Sequence, residues 1–396
     1  MERKKANNQI FRKFFESEKS SGLTLIAFTI LSLLLANSSI KENYTEFWEY
    51  SFAGLSIEHW INDGLMAVFF LLVGLELKRE FLVGELSSLK KATLPIFSAL
   101  GGMLIPAGIF ILINLGKPSI TGFGIPMATD IAFALGALSL LGNKVPTSVK
   151  VFLTALAVID DLGAIVVIAV FYTKTIFWLN LFIAFGIFVG LMILNKLKIT
   201  SLWIYIPLGI VMWYFMHHSG IHATITGVLL AFAIPSSGKN QNEHSPSDRL
   251  QEALHYPVPF IILPLFALVN TAIAIGPGWD KALFQNSSLG IIMGLVLGKP
   301  VGIFIFTWIS IKLKIADKPD GTSWSQLFGV GILGGIGFTM SIFVTILAFT
   351  DHTMINDSKF AILISSLLAG VIGYIWLKLS FRPKKKIQKT QKVQRG

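Results

Sequence analysis

Four charged side chains lie inside apolar stretches that otherwise exclude charge. Asp160 and Asp161 are neighbours in TALAVIDDLGAIVVIAV, Asp130 falls within GIPMATDIAFALGAL, and Lys299 within GLVLGKPVGIF. At the centre of a membrane-spanning helix each charge costs about 2.5–3.5 kcal/mol, on the order of 12 kcal/mol for the four. Stability alone gives no reason to carry that cost. Lys299 can neutralise one aspartate as a simple interhelical ion pair, but two carboxylates then lack a basic partner. Carboxylate oxygens suit hard cations, and adjacent residues on a helix point about 100° apart, so Asp160 and Asp161 can flank one site. Burial favours the protonated form of a carboxylate, and a like charge nearby favours it further. Such a pair takes protons or a cation in competition, and that competition is the physical basis of exchange. If more than one proton leaves per monovalent ion, net charge moves and membrane voltage drives transport by about 2.3 kcal/mol per charge per 100 mV.

Helix breakers stand beside these charges. Pro126 precedes Ala128, Thr129 and Asp130, and GILGGIGFTMS holds Gly331, Gly334, Gly335 and Gly337. A glycine costs about 1 kcal/mol in a helix interior. Close helix packing explains a single glycine in a membrane, whereas this cluster predicts an unwound segment. Interrupted helices at corresponding positions of two halves point to the binding site of an inverted-repeat transporter. Pro300 biases Lys299 away from helical geometry.

The elements that must position these groups follow from composition. Apolar residues make up 53% of the 396-residue chain and charged residues 14%, with no cysteine; the mean hydropathy is +0.69. Soluble domains carry about 25% charged residues, so this is a polytopic, all-α membrane protein. The lack of cysteine excludes disulfides, thiolate metal sites and cysteine nucleophiles, and the seven histidines lack zinc-site spacing. A hydrocarbon core about 30 Å thick needs about 20 apolar residues per helix. Twelve stretches are read as spans: Gly22–Ser38, Trp60–Leu77, Ala92–Leu115, Gly122–Leu141, Val151–Tyr172, Phe177–Leu194, Leu202–Met216, Ile221–Ile234, Tyr256–Ile275, Leu289–Ile311, Leu327–Phe349 and Phe360–Leu377. The seventh and eighth are short.

With the N-terminus in the cytoplasm, the outside loops hold only Lys41, Lys117, Lys174, Lys281 and Lys359, Lys299 lies in the membrane, and the remaining 27 of the 33 basic residues fall inside. Basic cytoplasmic loops are the positive-inside signature. The net charge of +11 is thus a matter of topology and lipid contact, and no nucleic-acid partner is expected. The chain divides into a basic cytoplasmic segment (1–21), one transmembrane domain (22–378) and a basic cytoplasmic tail (379–396). The first stretch is a full span rather than a cleaved signal peptide. Residues Glu46–Trp60, outside, read either as a hairpin turning at Ala53-Gly54 or as an amphipathic surface loop.

At these residues the chain resembles the NhaA family of sodium/proton antiporters over nearly its whole length. The matching segments are FFLLVGLELKRE (Phe69–Glu80), GIPMATDIAFALGALSLLG (Gly124–Gly142), VFLTALAVIDDLGAI (Val151–Ile165), GIHATITGV (Gly220–Val228), GLVLGKPVGI (Gly294–Ile303) and GIGFTMSIFV (Gly335–Val344). Inverted-topology repeats are an established property of that family, so about twelve helices in such repeats, two of them interrupted and crossing at mid-membrane, are implied by the resemblance.

The resemblance further implies that Asp160 and Asp161 bind Na+ (or Li+) and protons in competition. Thr129 and Asp130 would sit where the interrupted helices cross, with Gly335 and Gly337 at the second break. Asp130 would offset the positive helix ends, and Lys299 the negative ends while pairing with Asp160. Glu76, Arg79, Glu80 and His222 would belong to cytoplasm-facing or pH-responsive machinery. A histidine that merely starts a helix, and an interfacial ion-pair cluster at i, i+3 and i+4, are equally open readings. In SPSDRLQEALH, Asp248 and Gln251 replace a basic residue and a glutamate of the family's pH-sensing region. Asp248 and Glu252 are the remaining pH-response candidates, and the pH threshold should differ.

A cation channel is the alternative within transport, although it has no use for proton-exchanging carboxylates. An intramembrane aspartyl protease needs aspartates from separate helices, one in a Gly-x-Gly-Asp setting, whereas Asp130 follows Met-Ala-Thr. No enzymatic activity and no cofactor are expected, only the transported ions. The expected setting is the bacterial inner membrane, with lipid around the chain, both termini cytoplasmic, and a homodimer through the 46–60 hairpin.

Overall fold

A computed structural model describes residues 2–84, 86–173, 175–236, 245–276 and 278–381, and is helical over most of that length. The basic tail expected at 379–396 lies outside the described residues beyond 381. Among the described residues, eight helices are long and apolar enough to cross a membrane: Lys19–Ala36 (within the helix Glu2–Ala36), Ile57–Val83, Lys90–Ile113, Thr147–Phe171, Trp178–Lys196, Pro246–Asn270, Asn286–Lys312 and His352–Ser380. Two further spans are broken. Pro118–Met127 and Ile131–Ser139 meet at 42°, and Trp324–Gly334 and Phe338–Ala348 meet at 44°. Every stretch read from hydropathy therefore holds helix. The seventh and eighth form helices of only 16 and 9 residues, Leu202–His217 and Ile225–Ala233.

Sequence explains where several of these helices begin. Ser323 accepts from the Gln326 amide while the Gln326 side chain accepts from the Ser323 amide, and Asp351 accepts from the Met354 amide at 3.0 Å; both satisfy amides that a helix start leaves unpaired. The short helix Ile225–Ala233 is closed at its far end by Lys78, whose ammonium donates to the carbonyls of Ala231 (3.3 Å), Phe232 (3.1 Å) and Ile234. A cation suits the negative end of a helix. Helix Asn286–Lys312 packs along Leu89–Ile113, where Gly101 and Gly302 face each other so closely that a Cβ on either would strike the other's carbonyl oxygen.

Three spans contain a wider π turn: Trp60–Leu65, Val258–Ile262 and Gly294–Gly298. The third corrects the expectation for Lys299. That residue is helical, with φ −64° and ψ −54°, despite the proline after it. The π turn immediately before it makes room for the proline ring, which in a regular helix clashes with a preceding carbonyl.

Residues 46–60 contain the hairpin. Ser51–Phe52 and Leu55–Ser56 pair antiparallel, Ser51 opposite Ser56 and Phe52 opposite Leu55, around Ala53 and Gly54 with φ of +52° and +85°. Helix Lys41–Glu49 leads in and Ile57–Val83 leads out, so the hairpin is shorter than the segment that announced it. Trp60 Nε1 donates to the Phe52 carbonyl at 2.9 Å and ties it to the following helix.

The core runs through the middle of the helices, while Trp178, Leu179, Phe182 and Phe185 point outward from Trp178–Lys196, the polarity a lipid solvent requires. Lys359 departs from its expected place in an outside loop. It is buried within His352–Ser380, 3.4 Å from Asn270 Oδ1, and Asn270 in turn donates to Asn62 Oδ1 at 2.7 Å.

Candidate ion-binding site

Asp160 and Asp161 lie near the midpoint of helix Thr147–Phe171, and both are buried. The two broken spans meet beside them. In the first, the chain leaves the 3-10 helix Pro118–Met127 through extended residues at Ala128 and Asp130 before Ile131–Ser139 begins. In the second, Trp324–Gly334 stops at Gly335, and Phe338–Ala348 restarts after Gly337. A Cβ at Gly335 would collide with the Leu295 carbonyl, so glycine lets the break lie against helix Asn286–Lys312. The breaks are joined directly: the Asp130 amide donates to the Ile336 carbonyl at 2.6 Å.

Each broken end meets a polar group of suitable sign. Asp130 caps two helices: Oδ1 accepts from the Phe133 amide at 3.0 Å, and Oδ2 accepts from the Thr339 amide at 3.0 Å and from the Thr339 hydroxyl. A helix start carries roughly half a positive charge, so two starts offset one carboxylate. Lys299 Nζ donates to the Met127 carbonyl at the end of the first half-helix and pairs with Asp160 Oδ2 at 2.8 Å. The Thr129 hydroxyl lies 2.7 Å from the same Asp160 oxygen and 2.8 Å from the Gly334 carbonyl, which ends the other half-helix.

Asp161 has no such compensation. Among the described residues, the charges acting on it are those of Asp160, Asp130 and Glu76, against one lysine, Lys299. The buried oxygens Asp160 Oδ1 and Asp161 Oδ1 have no hydrogen-bond partner. A buried acceptor left unpaired costs about 1–3 kcal/mol, and two such oxygens on adjacent residues have the chemistry to take a proton or a hard cation. Asp130, by contrast, has both oxygens occupied and is a poor candidate for a proton-sharing partner of another aspartate.

The chain matches the family described as Na+/H+ antiporter 1 over residues 12–377. An NhaA sodium/proton antiporter of Flavobacterium psychrophilum is 61% identical over 369 residues, covering 93% of this chain and 96% of that protein. One from Cytophaga hutchinsonii is 57% identical, covering 94% and 96%. One from Clostridium beijerinckii is 46% identical, covering 93% and 95%. The chain belongs to the NhaA sodium/proton antiporter family.

As an NhaA-family antiporter the chain is a multi-pass transporter, and the other residues singled out fall into two groups at opposite ends of helix Ile57–Val83. Glu76, Arg79 and Glu80 lie near its far end, with Arg79 and Glu80 within electrostatic reach of Glu76. The helix Pro246–Leu254, carrying Asp248 and Glu252, packs at that same end, where Ser247 N donates to the Pro235 carbonyl at 3.1 Å. His222 is elsewhere. Its Nε2 lies 3.1 Å from the Tyr172 carbonyl, next to the turn where Phe177 N donates to Ser219 O at 2.8 Å.

Asp248 has a local task in this NhaA-family chain. Its Oδ2 accepts from the Ser245 hydroxyl at 2.7 Å and the Ser245 amide at 3.3 Å, while the Ser245 oxygen accepts from the Asp248 amide at 3.1 Å. Asp248 is therefore the inner half of a capping box. Thr339 was not legible as a site residue. It stands inside the quoted GIGFTMSIFV segment, and its position two residues after Gly337 was the available signal.

Proposed function

We propose that this NhaA-family chain exchanges Na+ or Li+ for protons through competition of both ions for the free oxygens of Asp160 and Asp161. The observation that carries the reading is the pair of buried, unpartnered Oδ1 atoms beside a single lysine already paired with Asp160. A cation arriving between them finds two oxygen ligands and an excess of negative charge. Ligand carboxylates must be deprotonated to bind a cation, so binding expels protons. A stoichiometry above one proton per ion makes the cycle electrogenic.

In this reading the two broken spans occupy corresponding places in two inverted repeats, and the twelve helical stretches all cross the bilayer. Their crossing at mid-membrane supports a site reached alternately from each side. Both termini face the cytoplasm by the distribution of basic residues, and the exposed hairpin at Ser51–Ser56 serves as a homodimer contact. Glu76, Arg79, Glu80, Asp248 and Glu252 form the cytoplasmic pH-responsive group.

The test is cation-driven pH change in everted vesicles. Wild type should dissipate a proton gradient on addition of Na+ or Li+, and Asp161→Asn, expressed to the same level, should not. Normal exchange by Asp161→Asn refutes the assignment. Cation leak without proton movement identifies a channel.

A further inference from the structure

The seven histidines are scattered along the chain, yet folding gathers two of them around one carboxylate, far from Asp160 and Asp161. His59 and Asp63 are one turn apart at the start of helix Ile57–Val83, and His217 ends helix Leu202–His217. His59 Nε2 lies 3.1 Å and His217 Nδ1 3.4 Å from Asp63 Oδ2, and all three atoms lie within 4.8 Å of one another.

We propose that His59, Asp63 and His217 bind a first-row transition dication of the zinc class at the hairpin end of the molecule. With metal–ligand bonds of about 2.0–2.1 Å, the edge of a tetrahedral site is about 3.3 Å, which the two measured separations straddle. Asp63 Oδ2 is shared by both imidazoles, at 3.1 Å from His59 Nε2 and 3.4 Å from His217 Nδ1. Three ligand atoms from two helices that converge on one point are the arrangement a common ion requires. Imidazole nitrogens disfavour Na+, Mg2+ and Ca2+ and suit zinc, cobalt and nickel. Three protein ligands leave a fourth position for water.

The surroundings hold the ligands in place. Trp213 Nε1 donates to the Asp63 carbonyl at 3.2 Å, its ring stacks on His217 (5.6 Å, 15°) and on Trp60 (5.8 Å, 22°). The side chains of Asp63 and His217 are 19% and 22% exposed and that of His59 43%, so the cluster lies near the surface. Bound metal would join helices Ile57–Val83 and Leu202–His217, which otherwise meet here through these rings.

The experiment uses full-length, tag-free protein in detergent, stripped with chelator and titrated with Co2+ while visible absorption is followed, then with Zn2+ in competition. One Co2+ per chain should bind and be displaced by Zn2+. Zn2+ should raise the thermal midpoint, and Mg2+ and Ca2+ should not, a comparison that needs no variant. His59→Gln and His217→Gln should each weaken Co2+ binding by about a hundredfold or more, since loss of even an outer-shell partner costs about 10–100-fold, whereas His218→Gln should leave it unchanged. The metal-free midpoint of each variant shows that it is folded. Asp161→Asn should abolish exchange and keep the Co2+ signal, which separates this site from the transport site. Wild type binding no more Co2+ than the folded His59→Gln/His217→Gln protein, or His218→Gln losing the ion, overturns the proposal.

Discussion

Asp130 accepts the Thr339 amide at 3.0 Å from the other broken span, so one carboxylate caps its own helix and the restart of a second. Removing it should loosen two helix starts together. Asp130→Ala should cost about 2 kcal/mol, the sum of two lost caps, read as a lower thermal midpoint. Asp130→Asn, which keeps an acceptor, should lose less. Equal midpoints for Asp130→Ala and wild type would show that the helix ends do not depend on it.

The adjacent aspartates should respond in opposite ways. Asp160→Asn leaves Lys299 buried beside a neutral amide, and breaking a buried pair from one side costs about 3–5 kcal/mol. Asp161→Asn removes a charge that has no basic partner of its own, so its stability should equal or exceed that of wild type while exchange is lost. Thermal unfolding of both purified variants decides this. Similar destabilisation in the two would contradict the pairing of Lys299 with Asp160.

Competition gives the sign of the pH dependence. Protons occupy the oxygens that sodium needs, so acid should raise the apparent KM for Na+. The rise approaches tenfold per pH unit for each proton displaced. Turnover at saturating Na+ should change far less. An apparent KM independent of pH between acid and alkaline conditions would rule out shared oxygens.

At the Glu76 end of helix Ile57–Val83, Asp248 combines charge and cap. Asp248→Asn alters mainly the charge. It should shift the activation curve modestly toward lower pH, because a nearby negative group stabilises bound protons within about an 8 Å Debye length, and the shift should shrink in high salt. Asp248→Lys should additionally cost about 1 kcal/mol through the lost cap. An unmoved pH profile in Asp248→Asn at low salt would leave the residue with its cap alone.

The hairpin presents Tyr50 and Phe52 to the outside, each 67% exposed. If the proposed homodimer contact lies here, replacing both with Ser should yield monomers that still exchange ions. Unchanged dimers on crosslinking would remove the hairpin from the interface.

Much of the fold was legible because hydropathy and breakers are local signals. The twelve apolar stretches, the break after Pro126 and the break in the glycine cluster all follow from neighbours in sequence. The site was legible as far as charge in an apolar setting reveals it: Asp130, Asp160, Asp161 and Lys299 stood out because lipid makes them expensive. What escaped depends on partners far along the chain. Thr339 and the carbonyls of Met127, Gly334 and Ile336 carry no unusual residue type, and carbonyls carry none at all. His217 gains meaning only from Asp63, and Lys359 read as a loop residue because its burial is decided by Asn270. The helical state of Lys299 was misjudged because a proline rule for regular helices does not anticipate a π turn.

The hydroxyl of Thr129 faces two acceptors, Asp160 Oδ2 and the Gly334 carbonyl, yet owns a single hydrogen. With Asp160 charged, that hydrogen can serve only one of them fully, and the other must do without. A proton on the free Oδ1 leaves Oδ2 an acceptor but removes its charge, so the threonine hydrogen is then drawn more toward the Gly334 carbonyl. In the proposed exchange, loading a proton would therefore shift the grip on a half-helix end by turning one O–H bond. On that reading the orientation of a single hydroxyl would follow which cargo the carboxylate holds.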